Sequence, residues 1–349
     1  MLQLQLRLCA PAERSAAIAR LRGWADRHGA RLLGAEESGA VAGGLLYLDG
    51  ASHAAAAELA AWPDFVAVTP SDAPARGLAA ESAFALGPAR FGGRAFSVIA
   101  GPCAVEDAAA LLDLARALPS AGASALRGGA FKPRTSPHAF QGLGAAGLEA
   151  LAAARAATGL PVVTELLDPR DLTLLAAHAD MIQIGSRNMH NGALLREAGR
   201  AGKPVLLKRG MAATLDEFLY AAEYLASGGC TRIVLCERGL RHFDPAVRNL
   251  LDLSAVPALQ QRTRLPVIVD PSHGTGRAAL VPAMMAAAAA AGADGLLVEV
   301  HQRPAAALCD GEQALEPAAF AAAMRTVEAV LGAVGRTLSR IPADAEASR

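Results

Sequence analysis

Between Arg127 and Gly142 the chain reads RGGAFKPRTSPHAFQG, which sets Arg127, Lys132 and Arg134 beside the hydroxyls of Thr135 and Ser136 among glycines and prolines. Guanidinium groups grip phosphate and carboxylate oxygens in pairs, so the stretch suits a small phosphorylated ligand; a solubilising surface loop would look the same. Three more cations, Arg187, Lys208 and Arg238, each follow an apolar run. Six cations gathered at one place repel one another unless anions neutralise them. Either strongly anionic substrates do this, or structural ion pairs with Glu165, Glu237 and Asp270 do part of it. A second set could ligate a metal: Cys103, His273, Glu299 and Asp310 offer a thiolate, an imidazole and two carboxylates. That mixture suits Mn, Fe, Co or Zn better than Mg or Ca, which prefer oxygen alone. Taken singly, each has a blander reading, with Cys103 as buried core, His273 as a loop hydrogen-bonder, and Glu299 and Asp310 as solvated acids.

The elements that must position these residues are legible as a pattern. From Phe96 onward, short apolar runs alternate with longer helical segments: FSVIAGPC, ASALRGG, LPVVTELLD, ADMIQIGSRN, KPVLLKRG, TRIVLCERG, LPVIVDPSHG and ADGLLVEVH. Eight buried strands separated by helices predict an α/β fold, a (β/α)8 TIM barrel, with a doubly wound open sheet as the alternative. Polar residues stand at the C-terminal ends of these runs, and closure would bring them to one mouth, where barrel active sites lie. Upstream, strands are expected over 3–9, 31–36, 44–49 and 64–69 and helices over 12–28 and 52–61, the βαββαβ order of a ferredoxin-like module. The resulting division is 1–72 for the small domain, 73–95 for a linker, 96–337 for the barrel and 338–349 for a flexible tail.

Composition narrows the classes further. Lys+Arg and Asp+Glu both number 33 in 349 residues, so no global field argues for nucleic acid or an anionic membrane. The alanine tract near Met284 is short for a membrane span, and the N-terminus lacks the apolar core of a signal peptide, so a cytoplasmic location is expected. Five scattered cysteines show no zinc-ribbon spacing and make a disulfide framework unexpected. Asp270 precedes the glycine-containing PSHGTG, a weak signal alone, and neither a GxxxxGKS/T loop nor a strand-linked GxGxxG occurs. Patterning thus reaches a metal-assisted barrel enzyme acting on anionic small molecules.

Nine stretches together resemble the beta branch of the type I 3-deoxy-D-arabino-heptulosonate 7-phosphate (DAHP) synthases: IAGPCAVE, LRGGAFKPRTSPHAFQGLG, PVVTELLD, MIQIGSRNMHN, GKPVLLKRGM, LCERGLRHFD, RNLLDLSAVP, LPVIVDPSHGTG and GLLVEVHQRPAAALCDGEQAL. They run from Ser97 to about Leu315. The resemblance implies a divalent-metal-dependent condensation of phosphoenolpyruvate with erythrose 4-phosphate, the first step of the shikimate pathway. It implies Cys103, His273, Glu299 and Asp310 as metal ligands. Arg127, Lys132, Arg187, Lys208 and Arg238 would hold phosphoenolpyruvate, and Arg134, Thr135 and Ser136 the aldose phosphate. Glu165 would lie at the reacting centre, and Lys132 would either protonate the new alkoxide or steady the carboxylate.

The alternative within the superfamily is 3-deoxy-manno-octulosonate 8-phosphate synthase, which uses arabinose 5-phosphate; its loop is typically KANRSS-like, whereas this chain has KPRTS. A catalytically silent paralogue serving as an interaction partner, for instance of chorismate mutase, is the reading outside enzymology, and the intact ligand sets oppose it. The resemblance also implies a homodimer or homotetramer and an N-terminal domain that in some members binds phenylalanine or tyrosine as feedback inhibitor. The chain departs from the family at CDG, where SDG is common and which puts Cys309 beside Asp310, and at His138, Gly274 and the N-terminal MLQLQLRLCAPAER.

Overall fold

A computed structural model describes residues 2–6, 11–33, 45–49, 51–70, 81–134 and 136–341. They fall into two compact units, Met1–Ala79 and Ala80–Arg349. In the first, β1 (Leu2–Leu6), a helix (Pro11–Arg27), β2 (Arg31–Leu33), β3 (Leu45–Asp49), a helix (His53–Ala60) and β4 (Phe65–Pro70) follow one another in the expected βαββαβ order. The strands expected over 3–9 and 31–36 are described only as β1 and β2, since residues 7–10 and 34–44 lie outside the described residues. The sheet order is β2-β3-β1-β4 and every pairing is antiparallel. Leu2 and Leu4 in β1 and Leu46 and Leu48 in β3 are spaced by two, so each pair lies on one face, and they are buried with Leu21, Trp24 and Leu59 from the helices.

The second unit begins differently from the linker expected over 73–95. Within that range β5 (Phe84–Leu86) and β6 (Ala89–Phe91) form an antiparallel hairpin, with Phe84 opposite Phe91. Then come β7 (Ala95–Gly101), β8 (Ala125–Arg127), β9 (Val162–Glu165), β10 (Met181–Ile184), β11 (Val205–Lys208), β12 (Ile233–Glu237), β13 (Val267–Val269) and β14 (Gly295–Glu299). Neighbours in sequence are neighbours in the sheet, all parallel, and β14 also pairs with β7, from Gly295 opposite Ser97 to Glu299 opposite Gly101. The eight strands therefore close into a barrel, as expected, and the open sheet is excluded. Their residues are buried almost without interruption because helices cover the outside and side chains fill the inside. Helix starts are fixed by side-chain caps: the Asp107 carboxylate accepts from Ala110 N at 2.8 Å, and Thr214 and Glu217 form a reciprocal capping box.

The hairpin belongs to the barrel core. Phe84 and Phe91 join a cluster to which every barrel strand contributes, including Ile99, Val163, Met181, Val234 and Leu297. Ser97 near the start of β7 ties β6 down, its hydroxyl accepting from Arg90 N at 2.8 Å and donating to Arg90 O at 2.7 Å. Two three-residue strands are too short to show a period of two, which is why this stretch read as linker. At the other end of the chain, β15 (Thr337–Leu338) pairs with Ala95 and Phe96, so ordered pairing runs one residue past the expected barrel limit of 337. Residues 342–349 of the expected tail lie outside the described residues. Because Phe91 is 1% exposed and packed inside the barrel, Phe91→Ala is expected to destabilise the protein by about 3–5 kcal/mol. A urea titration checks this, and an unchanged midpoint would show the hairpin to be dispensable.

Candidate active site

The C-terminal ends of the strands carry the side chains singled out from sequence. Arg127, Glu165, Lys208, Glu237 and Glu299 are the last residues of β8, β9, β11, β12 and β14, while Cys103 follows β7 and Asp270 follows β13. His273 comes from a five-residue helix, Pro271–Thr275, whose start is fixed by Asp270: its carboxylate accepts from His273 N at 2.9 Å. Closure of β14 against β7 and β13 is what brings Glu299, Cys103 and His273 together.

The four expected ligands do meet. One donor atom from each of Cys103, His273, Glu299 and Asp310 lies within 4.8 Å of the others. Cys103 Sγ is 3.4 Å from Asp310 Oδ2, and His273 Nε2 is 3.3 Å from Glu299 Oε1 and 3.8 Å from Asp310 Oδ2. Glu299 Oε1 is buried and accepts no well-aligned hydrogen bond, although the Arg127 guanidinium lies near it, and it faces the other donors, so the cluster fits a divalent cation that prefers mixed sulfur, nitrogen and oxygen ligation. Asp310 reaches the cluster through a left-handed backbone, φ 51°, that aspartate tolerates better than most side chains. The second ring nitrogen of His273 is fixed as well, since Nδ1 stands 2.7 Å from Asp270 Oδ2.

Charge around the cluster is compensated pair by pair. Arg127 NH2 lies 3.1 Å from Glu299 Oε1, and Lys208 Nζ donates to Asp270 Oδ2, both pairs being buried. Burial opposes ionisation of Asp270, yet the His273 ring and the Lys208 ammonium outweigh it and hold the carboxyl well below its ordinary range. Burial similarly opposes the charge on Glu299, and His273 with Arg127 more than offset it. Burial pulls His273 below its ordinary value, which favours the neutral ring a metal requires. Lys132 donates to Cys103 O at 3.0 Å and to Cys103 Sγ at 3.1 Å. Cys309 adds a second thiol, 3.1 Å from Cys103 Sγ and 2.6 Å from Arg134 NH1. Their mutual hydrogen bond brings Cys309 down to about 7 and, with burial, holds Cys103 well above the usual thiol.

Above this cluster opens a cavity of about 350 Å³ lined by Arg127, Lys132, Arg134, Ser136, Glu165, Arg187, Lys208 and Arg238, with His273, Cys309 and Asp310 among its other walls. Every described residue of the sequence-derived anion set therefore faces one space. Thr135 lies outside the described residues, and Arg187 is exposed at the rim. Glu165 reaches the cavity only because Gly185 yields room: a Cβ there would stand 1.9 Å from Glu165 Oε1. Arg209, next to Lys208, is not part of the lining; it pairs with Glu237 at 2.9 Å and Asp252 at 3.0 Å, the structural ion pair allowed for above. His301, beyond the end of β14, is 3.7 Å from Glu106 and also stays out of this lining.

Sequence reasoning passed over Arg248, Gln183, Ser186 and Met211, which line the cavity, and Gln313, which lies against Glu299. Arg248 sits in a loop far from any strand end, and the others carry no charge. For Gln183, inside β10, the signal was present as a polar residue within an apolar run.

A closed barrel with a four-donor cluster sunk beneath a cation-lined cavity at its strand ends is the architecture of an enzyme for anionic substrates. Residues 87–332 match the model of the DAHP synthetase I family. A phospho-2-dehydro-3-deoxyheptonate aldolase of Thermotoga maritima is 50% identical over 250 residues, covering 72% of this chain and 74% of the relative. The crystal structure of the Thermotoga maritima DAHP synthase superposes with a TM-score of 0.74 at 38% identity, over 96% of this chain and 98% of that one. More distant is a 2-dehydro-3-deoxyphosphooctonate aldolase of Nitratidesulfovibrio vulgaris, 35% identical over 242 residues, 64% of this chain and 87% of that protein. The chain belongs to the DAHP synthetase I family.

Cys103→Ser removes the one thiolate donor of the cluster. It is expected to weaken divalent-metal binding beyond the roughly 10–100-fold typical of losing an outer hydrogen-bond partner. Metal content after desalting, together with the thermal shift on adding metal back, measures this. A variant that keeps stoichiometric metal would remove Cys103 from the ligand set.

Proposed function

We propose that the residues around the barrel mouth divide the two substrates of the family's reaction between them. The enzyme is a transferase that condenses phosphoenolpyruvate with erythrose 4-phosphate to give DAHP and phosphate, the first step of the shikimate pathway. The single observation that carries the assignment is the cation-lined cavity lying directly over the four-donor cluster. Arg127, Lys132, Arg187, Lys208 and Arg238 take the carboxylate and phosphate of phosphoenolpyruvate, and Arg134, Thr135 and Ser136 take the phosphate of the aldose. The rest of the family resemblance is carried along: a cytoplasmic enzyme assembled as a dimer or tetramer.

Cys103, His273, Glu299 and Asp310 would hold a divalent ion of the Mn, Fe, Co or Zn kind, which would supply Lewis acidity toward the aldehyde oxygen. The protein's own groups do the rest. Fixed cations hold two like-charged molecules that would otherwise repel, so that C3 of phosphoenolpyruvate faces the aldehyde carbon; orientation of this kind can supply up to about 7–11 kcal/mol. As the carbon–carbon bond forms, C2 becomes electron-poor, and the carboxylate of Glu165 is positioned to stabilise it and to steer the water that adds there. The resulting hemiketal phosphate loses phosphate by C–O cleavage, leaving the ketone. Lys132, whose ammonium already donates to the Cys103 sulfur, lends the proton that the new alkoxide requires.

Phosphate release from phosphoenolpyruvate is expected only when both erythrose 4-phosphate and a divalent metal are present, and EDTA should abolish it. Faster release with arabinose 5-phosphate would overturn the choice of aldose and favour the octulosonate reading, while no aldose-dependent release with any divalent metal would leave the silent-paralogue reading. Lys132→Met should lower kcat by about 10²–10⁴-fold, the range for loss of a general acid, and raise KM for phosphoenolpyruvate as well, because Lys132 is also one of the cations that hold it. If KM for phosphoenolpyruvate rises and kcat holds, Lys132 serves the carboxylate and not the alkoxide.

A further inference from the structure

We infer that Gln313, oriented by Arg248, is a positioning residue that decides which oxygen of each metal-site carboxylate is presented to the ion; this rests on the reading of Cys103, His273, Glu299 and Asp310 as ligands. Gln313 closes the short turn Gly311–Gln313 that follows Asp310, and it is 2% exposed. Its Nε2 donates to Glu299 Oε2 at 2.7 Å, and its Oε1 accepts from Arg248 NH1 at 2.7 Å. That orientation of the amide follows from chemistry: a guanidinium can only donate and a carboxylate can only accept, so the oxygen must face Arg248 and the NH₂ must face Glu299.

The consequence is a division of labour within each carboxylate. Glu299 commits Oε2 to Gln313, and its other oxygen, Oε1, accepts no well-aligned hydrogen bond and faces the cluster, 3.1 Å from Arg127 NH2 and 3.3 Å from His273 Nε2. Asp310 is split in the same way, with Oδ1 3.4 Å from Arg248 NH1 and Oδ2 3.4 Å from Cys103 Sγ. One buried amide and one guanidinium thus hold the outer oxygens of both acids, and rotation of either would break a contact. A carboxylate freed of its outer partner can turn or offer both oxygens, so donor number and direction are no longer fixed before the ion arrives. This is the role that outer hydrogen-bond partners play for metal ligands generally, and here a single amide reaches a ligand from β14 while sitting three residues from a ligand in the following loop.

The test uses the full-length protein loaded with cobalt(II), whose thiolate charge-transfer band reports occupancy through Cys103. Gln313→Met keeps the volume and removes both hydrogen bonds. It is expected to surrender cobalt to EDTA roughly 10–100-fold faster than the parent, and its ligand-field bands at excess cobalt should shift as Glu299 Oε2 is released from its outer partner. Parental release rate and parental bands in a variant that melts cooperatively would overturn the inference. Should Gln313→Met fail to fold, Arg248→Met decides, because the Arg248 side chain is 39% exposed and its loss opens no core cavity. Faster cobalt release there supports the inference, and a parental rate overturns it. A parent chain that takes up no cobalt would instead sink the ligand reading on which it rests.

Discussion

A carboxylate with no solvent exposure has to be compensated by groups the fold brings to it, and Glu299 is such a carboxylate. Its partners come from different stretches of chain: Arg127 at the end of β8, His273 beyond β13, and Gln313 past β14 itself. Strand β8 and strand β14 stand on either side of β7, so Arg127 meets Glu299 only because the sheet closes. An open sheet with the same sequence would leave a buried acid unpaired, and losing one partner of a buried ion pair costs about 3–5 kcal/mol. Barrel closure and assembly of the four-donor cluster are in this sense one event.

The same compensation organises the mouth into two levels of charge. Below, Cys103, His273, Glu299 and Asp310 leave donor atoms facing one another, which suits a cation. Above, Arg127, Lys132, Arg134, Lys208 and Arg238 surround a cavity, which suits anions. Several of these cations are already tied to an acid or a sulfur below them, Lys208 to Asp270, Arg127 to Glu299 and Lys132 to Cys103. They are therefore held in place before substrate arrives, and little reorganisation is needed as charge moves during the reaction. Bringing two phosphorylated molecules into contact requires such preset cations.

Cys309, the first residue of the CDG stretch, stands immediately before Asp310 and against the proposed ligand Cys103. Without a cation, the shared hydrogen bond makes Cys309 the more acidic of two thiols 3.1 Å apart. A divalent ion held by Cys103, as we propose, would reverse the order by stabilising its thiolate directly. Arg134, which we propose takes the aldose phosphate, donates to the Cys309 sulfur, so the residue before Asp310 touches one of the cations that line the cavity.

The legible and the illegible parts of this protein separate along a physical line. Eight apolar runs announced eight buried strands, and ionisable residues at their ends announced a mouth, because both signals are local: residue type and position within a run decide them. Cys103, His273, Glu299 and Asp310 were less legible singly, each having a blander reading; their shared position at the ends of neighbouring strands and the family resemblance made them candidates. The hairpin at 84–91 was not readable, since Phe84 and Phe91 acquire their role only from a barrel interior assembled out of all eight strands. Nor was the fate of neighbouring cations: Lys208 and Arg209 are adjacent in sequence, yet one turns to Asp270 and the cavity and the other to Glu237 and Asp252. Gln313 and Arg248 gave no signal either, an amide and a loop arginine whose value lies in where their partners are. The sequence by itself determined which chemical groups are present and at which end of which strand. Only the tertiary structure decided which of them pair with one another and which face the cavity, because pairing depends on distances across the closed barrel that no local run of residues encodes.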